Sequence, residues 1–385
     1  MTANLVGRAR EFATSRLLGR EDYFDGLPAV PTPAAAELHR AGLANWWLPE
    51  EYGGMGASLR TGVDIVSELS YADAGFAFAS FLPVLGTTMV HCFGAPDLAA
   101  EYLGAMARGG GSCAILVSEE EAGSELNRNQ TVFVRKGDEI VLSGDKQFST
   151  NTDSADFLLV AARSADDPSV HSVVLVPRQT EGVEIAKRWN MQGMRGSATY
   201  QVRLRDCVVP AHHALEGNGL RVLEAGLNAS RTLIATTAIG VSRRIRDLSM
   251  EYAAHKQVKG APLVDNAVFA AKLGQIEMLI DVMRNQCLAA AAEFDELLAA
   301  PDPAAVLYRT GATRSALSAK MYCGQAGWTV ATIGSEMFGG LGYTNDHLIT
   351  KLVRDLRYVG LVEGGDDVVR DLLFSRYVLP RAKRR

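Results

Sequence analysis

Glu363 closes the apolar run Tyr358-Val-Gly-Leu-Val and is followed at once by a glycine pair, Gly364-Gly365. A carboxyl in a poorly hydrated place has its proton affinity raised toward neutral pH, the condition a proton-abstracting base needs. Two successive glycines let the backbone approach a flat ligand with no Cβ in the way. On local sequence the alternative is a carboxylate paired with Arg354 or Arg357, which perturbs a carboxyl without giving it chemistry.

Three further segments carry groups able to hold a ligand. SEEEAGSE (118–125) places Gly123 and Ser124 in a turn whose N–H and O–H groups suit an anion or a flavin edge; the plainer alternative is an acidic surface loop. KQFSTN (146–151) sets an aromatic ring beside two hydroxyls. Phe148 is suited to lie against a planar ring system while Ser149 or Thr150 bonds its heteroatoms; otherwise it is a core residue at a strand start. FGGLGY (338–343) follows a helix and lacks the G-x-G-x-x-G order, so it does not support a Rossmann nucleotide site. There is no Walker lysine motif, no G-x-S-x-G and no histidine with metal-ligand spacing, so no metal is expected.

Positioning these groups takes 385 residues, more than one core usually serves, and 48% of them are hydrophobic. The net charge is −5 and no long basic stretch precedes the terminal RAKRR, read as a solvated end, which argues against a nucleic-acid partner. Five scattered cysteines, never in a C-x-x-C pair, suggest neither disulfides nor zinc and fit a reducing cytoplasm. MTANLVGRAREF reads as the start of an amphipathic helix rather than a signal peptide. The uncharged stretch 75–92, interrupted by Pro83 and Gly86, reads as a buried helix pair or tunnel wall rather than a membrane span.

Helix-like segments at 34–42, 60–72 and 97–106 surround the loop PEEYGGMGAS. Beyond residue 110 the short runs TVFV, IVLSG, FLLVAA, SVVLV and YQVRL alternate with turn signals, and Tyr200, Val202 and Leu204 share one strand face. Helix then returns. Ile234, Ala238, Val241, Ile245, Leu248 and Tyr252 recur three or four apart, as do Phe269, Leu273, Ile276, Ile280, Met283 and Cys287, and the stretches 305–337 and 365–378 complete a bundle. The expectation is an α+β chain with an N-terminal helical domain (1–110), a middle antiparallel β-domain (111–215) and a C-terminal four-helix bundle (216–385).

Taken in order, these segments resemble the acyl-CoA dehydrogenase family over nearly the whole chain. PEEYGGMGAS is similar to that family's N-terminal loop signature, SEEEAGSE to TEPxAGSD, KQFSTN to KxWITN, and GMRGSATYQVRLRDCVVP to its closing sheet motif, while GGLGYTND and LVEGGDD resemble GGxGYxxD and IYEGTSE. The resemblance implies this same three-domain fold with FAD between the domains. It also implies a homodimer or homotetramer, an acyl-CoA or acyl-carrier-protein substrate, and an electron-transfer flavoprotein or similar acceptor. The implied chemistry is proton removal by a carboxylate, concerted with hydride delivery to flavin N5. Glu363 takes the base's place, because the other position used in the family is here Ser230.

By the same resemblance the flavin contacts Leu116, Val117, Ser118, Gly123, Ser124, Phe148, Ser149, Thr150, Gly364 and Gly365, with Lys256, Glu336, Gly339 and Gly340 on the adenosine side. Substrate is expected at Ser124, Asn228, Arg231 and Glu363, the last also offering its N–H to the thioester oxygen. KQVKG (256–260) stands for RxxFG, Asn266-Ala267 for Phe-Gln, Glu336 for Gln, Phe148 for Trp and Gly365 for Thr. Lys256 keeps a charge without the planar fork of Arg, and an ionised Glu336 only accepts. Together with NWWLPEEYGG, LNASR, KGAPLV and LVEGGDDVVRD, these changes resemble the γ,δ-dehydrogenase branch of polyketide pathways, in particular that of the tacrolimus allylmalonyl extender unit. That implies γ,δ-oxidation of a short 2-enoyl thioester to a terminal alkene. Ordinary α,β-oxidation, a flavin oxidase or monooxygenase, and a flavin-free scaffold that binds an acyl carrier are the alternatives.

Overall fold

A computed structural model describes residues 2–123 and 125–380; Ser124 and the terminal RAKRR lie outside the described residues. The first region is helical: α1 (Thr2–Phe12), α2 (Glu21–Gly26), α3 (Thr32–Arg40), α4 (Leu59–Ala72), α5 (Ala74–Phe81), α6 (Pro83–Phe93) and α7 (Pro96–Gly109). Polar caps fix where two of these, α4 and α5, start. Ser58 Oγ accepts from Thr61 N (3.2 Å) and Asp73 Oδ1 from Phe76 N (2.7 Å), each satisfying a donor that the helix itself leaves free. The apolar stretch from Ala74 to Phe93 is split at Leu82–Pro83 into α5 and α6 and is mostly buried inside the protein. It is the buried helix pair the sequence suggested.

Seven strands follow: β1 (Cys113–Leu116), β2 (Val132–Lys136), β3 (Glu139–Thr150), β4 (Phe157–Ser164), β5 (His171–Pro177), β6 (Val183–Arg188) and β7 (Thr199–Pro210). The order is β1-β4-β2-β3-β7-β6, with β5 also paired to β4. Most pairings are antiparallel, but β4 runs parallel to β1 (Cys113 opposite Phe157) and to β2 (Val132 opposite Arg163). Apolar alternation reports which face of a strand is buried, not its direction, so these two pairings were invisible in the sequence. Both faces of β4 are covered: Phe157 and Leu159 join the helical core, whereas Leu158 and Val160 join the core within the sheet.

The last region contains α8 (Gly219–His255), a small hairpin of β8 (Gln257–Val258) and β9 (Ala261–Pro262), then α9 (Ala267–Leu298), α10 (Pro303–Thr310), α11 (Arg314–Met337), α12 (Leu348–Val359) and α13 (Asp366–Leu373). The expected helix over 305–337 is two helices, because Gly311 turns the chain with a φ of +64°. α12 was not foreseen; it packs against α8 and α11, whereas α13 meets α11 more lightly. A buried ion cluster ties the three regions together. Lys351 of α12 lies 2.7 Å from Asp355 and 3.0 Å from Asp73, and Asp355 accepts from Met194 N at 2.6 Å in the loop before β7.

Candidate active site

α12 ends at Val359, and four residues later the chain takes two left-handed residues in succession, Glu363 (φ +50°) and Gly364 (φ +91°). For a residue with a Cβ this backbone is strained, so neighbours must hold it. Arg231, from the buried middle of α8, donates through Nε (3.1 Å) and Nη2 (2.9 Å) to the Glu363 carbonyl. Lys320, from α11, donates to the next carbonyl, that of Gly364. Ser230 Oγ lies 2.7 Å from each carboxylate oxygen of Glu363 and donates between them. Neither Arg354 nor Arg357 takes that place: Arg354 pairs with Asp25 at 3.0 Å, and Arg357 lies over the Trp328 ring.

Burial pushes the Glu363 carboxyl up to about 7, even though Ser230, Arg231 and Lys320 all pull the other way. The residue keeps part of its surface open. Burial likewise lowers Lys320 to about 8, helped by Arg231. Tyr358, whose ring stands edge-on to Phe78 at 4.9 Å, is held well above the usual tyrosine range by burial and by Glu363. Glu363 is thus a carboxyl that gains and loses a proton near neutral pH, which is the requirement for a general base.

On the sheet, β3 pairs with β7 through a register shift between Lys146 and Ser149. Phe148 sits in that bulge with a φ of +54° and is 55% exposed, so it is not a core residue at a strand start. Its ring stacks on Trp189 at 4.9 Å, and Lys187 covers the same indole at 3.9 Å. Ser118 accepts from Gln147 N at 2.8 Å, and Thr150 Oγ1 meets Thr199 Oγ1 at 3.0 Å. The neighbouring segment 116–118 is set by a wholly buried Lys146, which reaches Val117 O (3.1 Å), Ala161 O (2.6 Å) and the Glu119 carboxylate (2.7 Å). Lys146 holds Glu119 below the usual carboxylate range against the cost of burial. Leu116 is itself fully buried.

Asn228 is also buried, and both ends of its amide are committed to backbone: Nδ2 donates to Gly311 O and Oδ1 accepts from Thr313 N, each at 2.8 Å. It fastens α8 to the start of α11. On the expected adenosine side, Lys256 and Phe338 line one cavity of about 420 Å³, with Gly339 and Gly340 just beyond, and Glu336 pairs with Lys272 at 2.8 Å. The expected site residues thus fall into three groups: one at Glu363, one on the sheet bulge, and one at the end of α8 with the loop after α11.

Residues 3–110, 114–207 and 217–378 match in turn the N-terminal, middle and C-terminal domains of acyl-CoA dehydrogenases. The chain belongs to the acyl-CoA dehydrogenase family. A probable acyl-CoA dehydrogenase of Bacillus subtilis is 26% identical over 377 residues, 96% of each protein. Butyryl-CoA dehydrogenase from Megasphaera elsdenii is similar in structure, with a TM-score of 0.87, 23% identity and 96% of each chain covered. An acyl-CoA dehydrogenase complexed with FAD from Bacillus anthracis gives a TM-score of 0.89 at 22% identity, over 97% of this chain and 65% of that one.

The family is FAD-dependent and oxidises carbon–carbon single bonds of acyl thioesters. The residues present fit such a cofactor. Gln147 Oε1, Ser149 Oγ, Trp189 Nε1 and Arg231 Nη1 are buried without a hydrogen-bond partner, a costly state unless a ligand supplies one. A Cβ at Gly123, Gly339 or Gly340 would meet nothing within 4 Å, so there is open space beside the glycines expected to face the dinucleotide. Sequence reasoning missed Trp189, Lys146, Glu119 and Lys320. Of these only Lys146 and Glu119 lay inside motifs already singled out.

Proposed function

We propose that Glu363 is the base of this acyl thioester dehydrogenase, acting on a short 2-enoyl thioester of CoA or a carrier protein to form a γ,δ double bond and a terminal alkene. The observation that carries the base assignment is the buried carboxyl, raised toward neutrality and gripped by Ser230 and Arg231. Glu363 takes a proton from the carbon chain while its own N–H, at the left-handed turn, polarises the thioester oxygen. FAD, when bound, would supply the hydride acceptor, and an electron-transfer flavoprotein or similar protein would take up the electrons. By the resemblance, Ser118, Gly123, Ser124, Phe148 to Thr150, Gly364 and Gly365 are the residues that would hold its ring. Lys256, Glu336, Gly339 and Gly340 serve its adenosine end.

Conjugation makes the γ-hydrogen of a 2-enoyl thioester acidic by vinylogy, so the same base serves if the chain sits two carbons further along. Support for that shift comes from the resemblance of LNASR, KGAPLV and LVEGGDDVVRD to the γ,δ branch. It also comes from Gly365, where the nearest atom to an added Cβ would be Gly360 O at 3.9 Å, leaving room beside the ring. Exposed Val268 and Met278 of α9 and Trp328 of α11 suit a homo-oligomer.

Glu363→Gln should retain flavin and lose dye-linked turnover; undiminished turnover removes Glu363 from the mechanism. Saturated and 2-enoyl forms of one short thioester, offered in parallel with the new double bond located by NMR, decide the regiochemistry. A 2,3-double bond formed from the saturated form, with the enoyl form untouched, makes the enzyme an ordinary α,β-dehydrogenase. Purified protein that is colourless and takes up no FAD would instead be a scaffold.

A further inference from the structure

Lys320 is completely buried on α11, yet it carries an amine that no step of the reaction uses. A buried ammonium is expensive, and a neutral donor would satisfy one carbonyl at lower cost. What Lys320 touches is particular: the carbonyl of Gly364, directly after the carbonyl of Glu363 that Arg231 holds. Two cations from two helices therefore grip consecutive carbonyls of the strained left-handed pair. A Cβ on Gly364 would itself lie 3.6 Å from Arg231 Nη2, so the two grips and the turn are packed against each other.

We propose that Lys320 is a positioning residue for Glu363: its hydrogen bond to Gly364 O fixes the turn that aims the carboxyl, and its positive charge favours the anionic form of that carboxyl. The proposal rests on Glu363 being the base. The charged and titratable groups around the pair are accounted for on each element packed there. Arg231 and Glu224 come from α8, Tyr358 from α12, Asp366 from α13 and Arg376 from the segment after it. Of the cations among these, Arg231 and Lys320 act directly on the Glu363 carboxyl, both favouring its charged form.

The test uses the flavin-loaded enzyme and the pH dependence of kcat/KM, which reports ionisation of the free enzyme's base. Lys320→Met, which loses donor and charge, should shift the acid-side midpoint upward by about one unit, the scale expected for loss of one nearby opposite charge. At a pH below both midpoints its kcat/KM then falls about tenfold further behind wild type than on the alkaline plateau. Lys320→Arg, which restores the charge, should bring the midpoint back. If the Met variant folds poorly, Lys320→Gln keeps an N–H for the carbonyl without the charge, and the same upward shift is expected. An unshifted midpoint in a flavin-loaded Met or Gln variant overturns the proposal. Glu363→Gln measured alongside separates the two ideas. If that variant turns over, the base assignment has failed; if it is inactive while Lys320→Met behaves like wild type, Lys320 alone is removed.

Discussion

Removing the Ser230 hydroxyl isolates one force on the carboxyl proposed as the base. Burial holds Glu363 up near 7, and the Ser230 O–H, 2.7 Å from each carboxylate oxygen, is the foremost of the groups pulling it down. A hydrogen bond to a charged acceptor contributes about 1.5–3 kcal/mol, and one unit of pKa corresponds to about 1.4 kcal/mol. Ser230→Ala should therefore raise the midpoint by about one to two units. The base must be ionised to act, so the rate climbs with pH through that midpoint, and a raised value moves the climb to more alkaline solution. The assay is kcat/KM for dye-linked oxidation across roughly pH 5 to 9, on variants checked for equal flavin content. Below both midpoints Ser230→Ala should lag wild type about 10- to 100-fold, with the gap closing at high pH. Ser230→Thr keeps the hydroxyl and should track wild type. An alanine variant that loses the same fraction of activity at every pH would show that the hydroxyl does not tune the base, and the reasoning would be wrong.

Lys146→Met removes the cation 2.7 Å from the buried Glu119 carboxylate and should cost about 3–5 kcal/mol; thermal unfolding that barely changes would refute the buried ion pair. Lys146→Met with Glu119→Gln should recover much of that loss. Asn228→Ala removes both fastenings between α8 and the start of α11 and should lower the melting temperature by an amount equivalent to about 2–3 kcal/mol. Its KM should change little, and a large rise in KM with an unchanged melting temperature would restore Asn228 to the substrate pocket. Gly364→Ala forces a Cβ into a φ of +91° and to 3.2 Å from Val368 Cγ1. It should cut kcat by about 100-fold through misplacement of Glu363, while flavin content stays at the wild-type level.

What was legible in the sequence was local. The seams of α8 and α9 were read from side chains three and four apart, and Ile234, Ala238, Val241 and Ile245 are indeed buried. Tyr200, Val202 and Leu204 face inward as alternation required. α12 escaped because two charged residues, Lys351 and Asp355, sit on its buried face beside Ile349, Leu352, Leu356 and Val359. An inward stripe that includes an ion pair reads as polar until the partner, Asp73 at the start of α5, is known. The contacts that make the site were out of reach for the same reason. Ser230 and Glu363 are 133 positions apart, and nothing in the spacing of either announces the other. Lys320 looked like one more polar residue of a helix, and Trp189 lay outside every motif.

That same proximity of Ser230 to Glu363 explains why the residue at 230 matters although it cannot act as a base. An acid there would stand within hydrogen-bond reach of the Glu363 carboxyl, and two carboxylates at that range cannot both ionise near neutral pH; they share a proton. The site would then hold one proton tightly in the resting enzyme, and neither group would be a free anion for the substrate. A hydroxyl at 230 instead donates to the Glu363 carboxylate and sets no second carboxylate beside it. The loop residue brings the carboxylate oxygens, and helices α8 and α11 bring the groups that oppose the effect of burial on them. Proton affinity near 7 is thus a balance struck between elements, which is why substitutions on α8 should be read first in the pH profile and only second in stability.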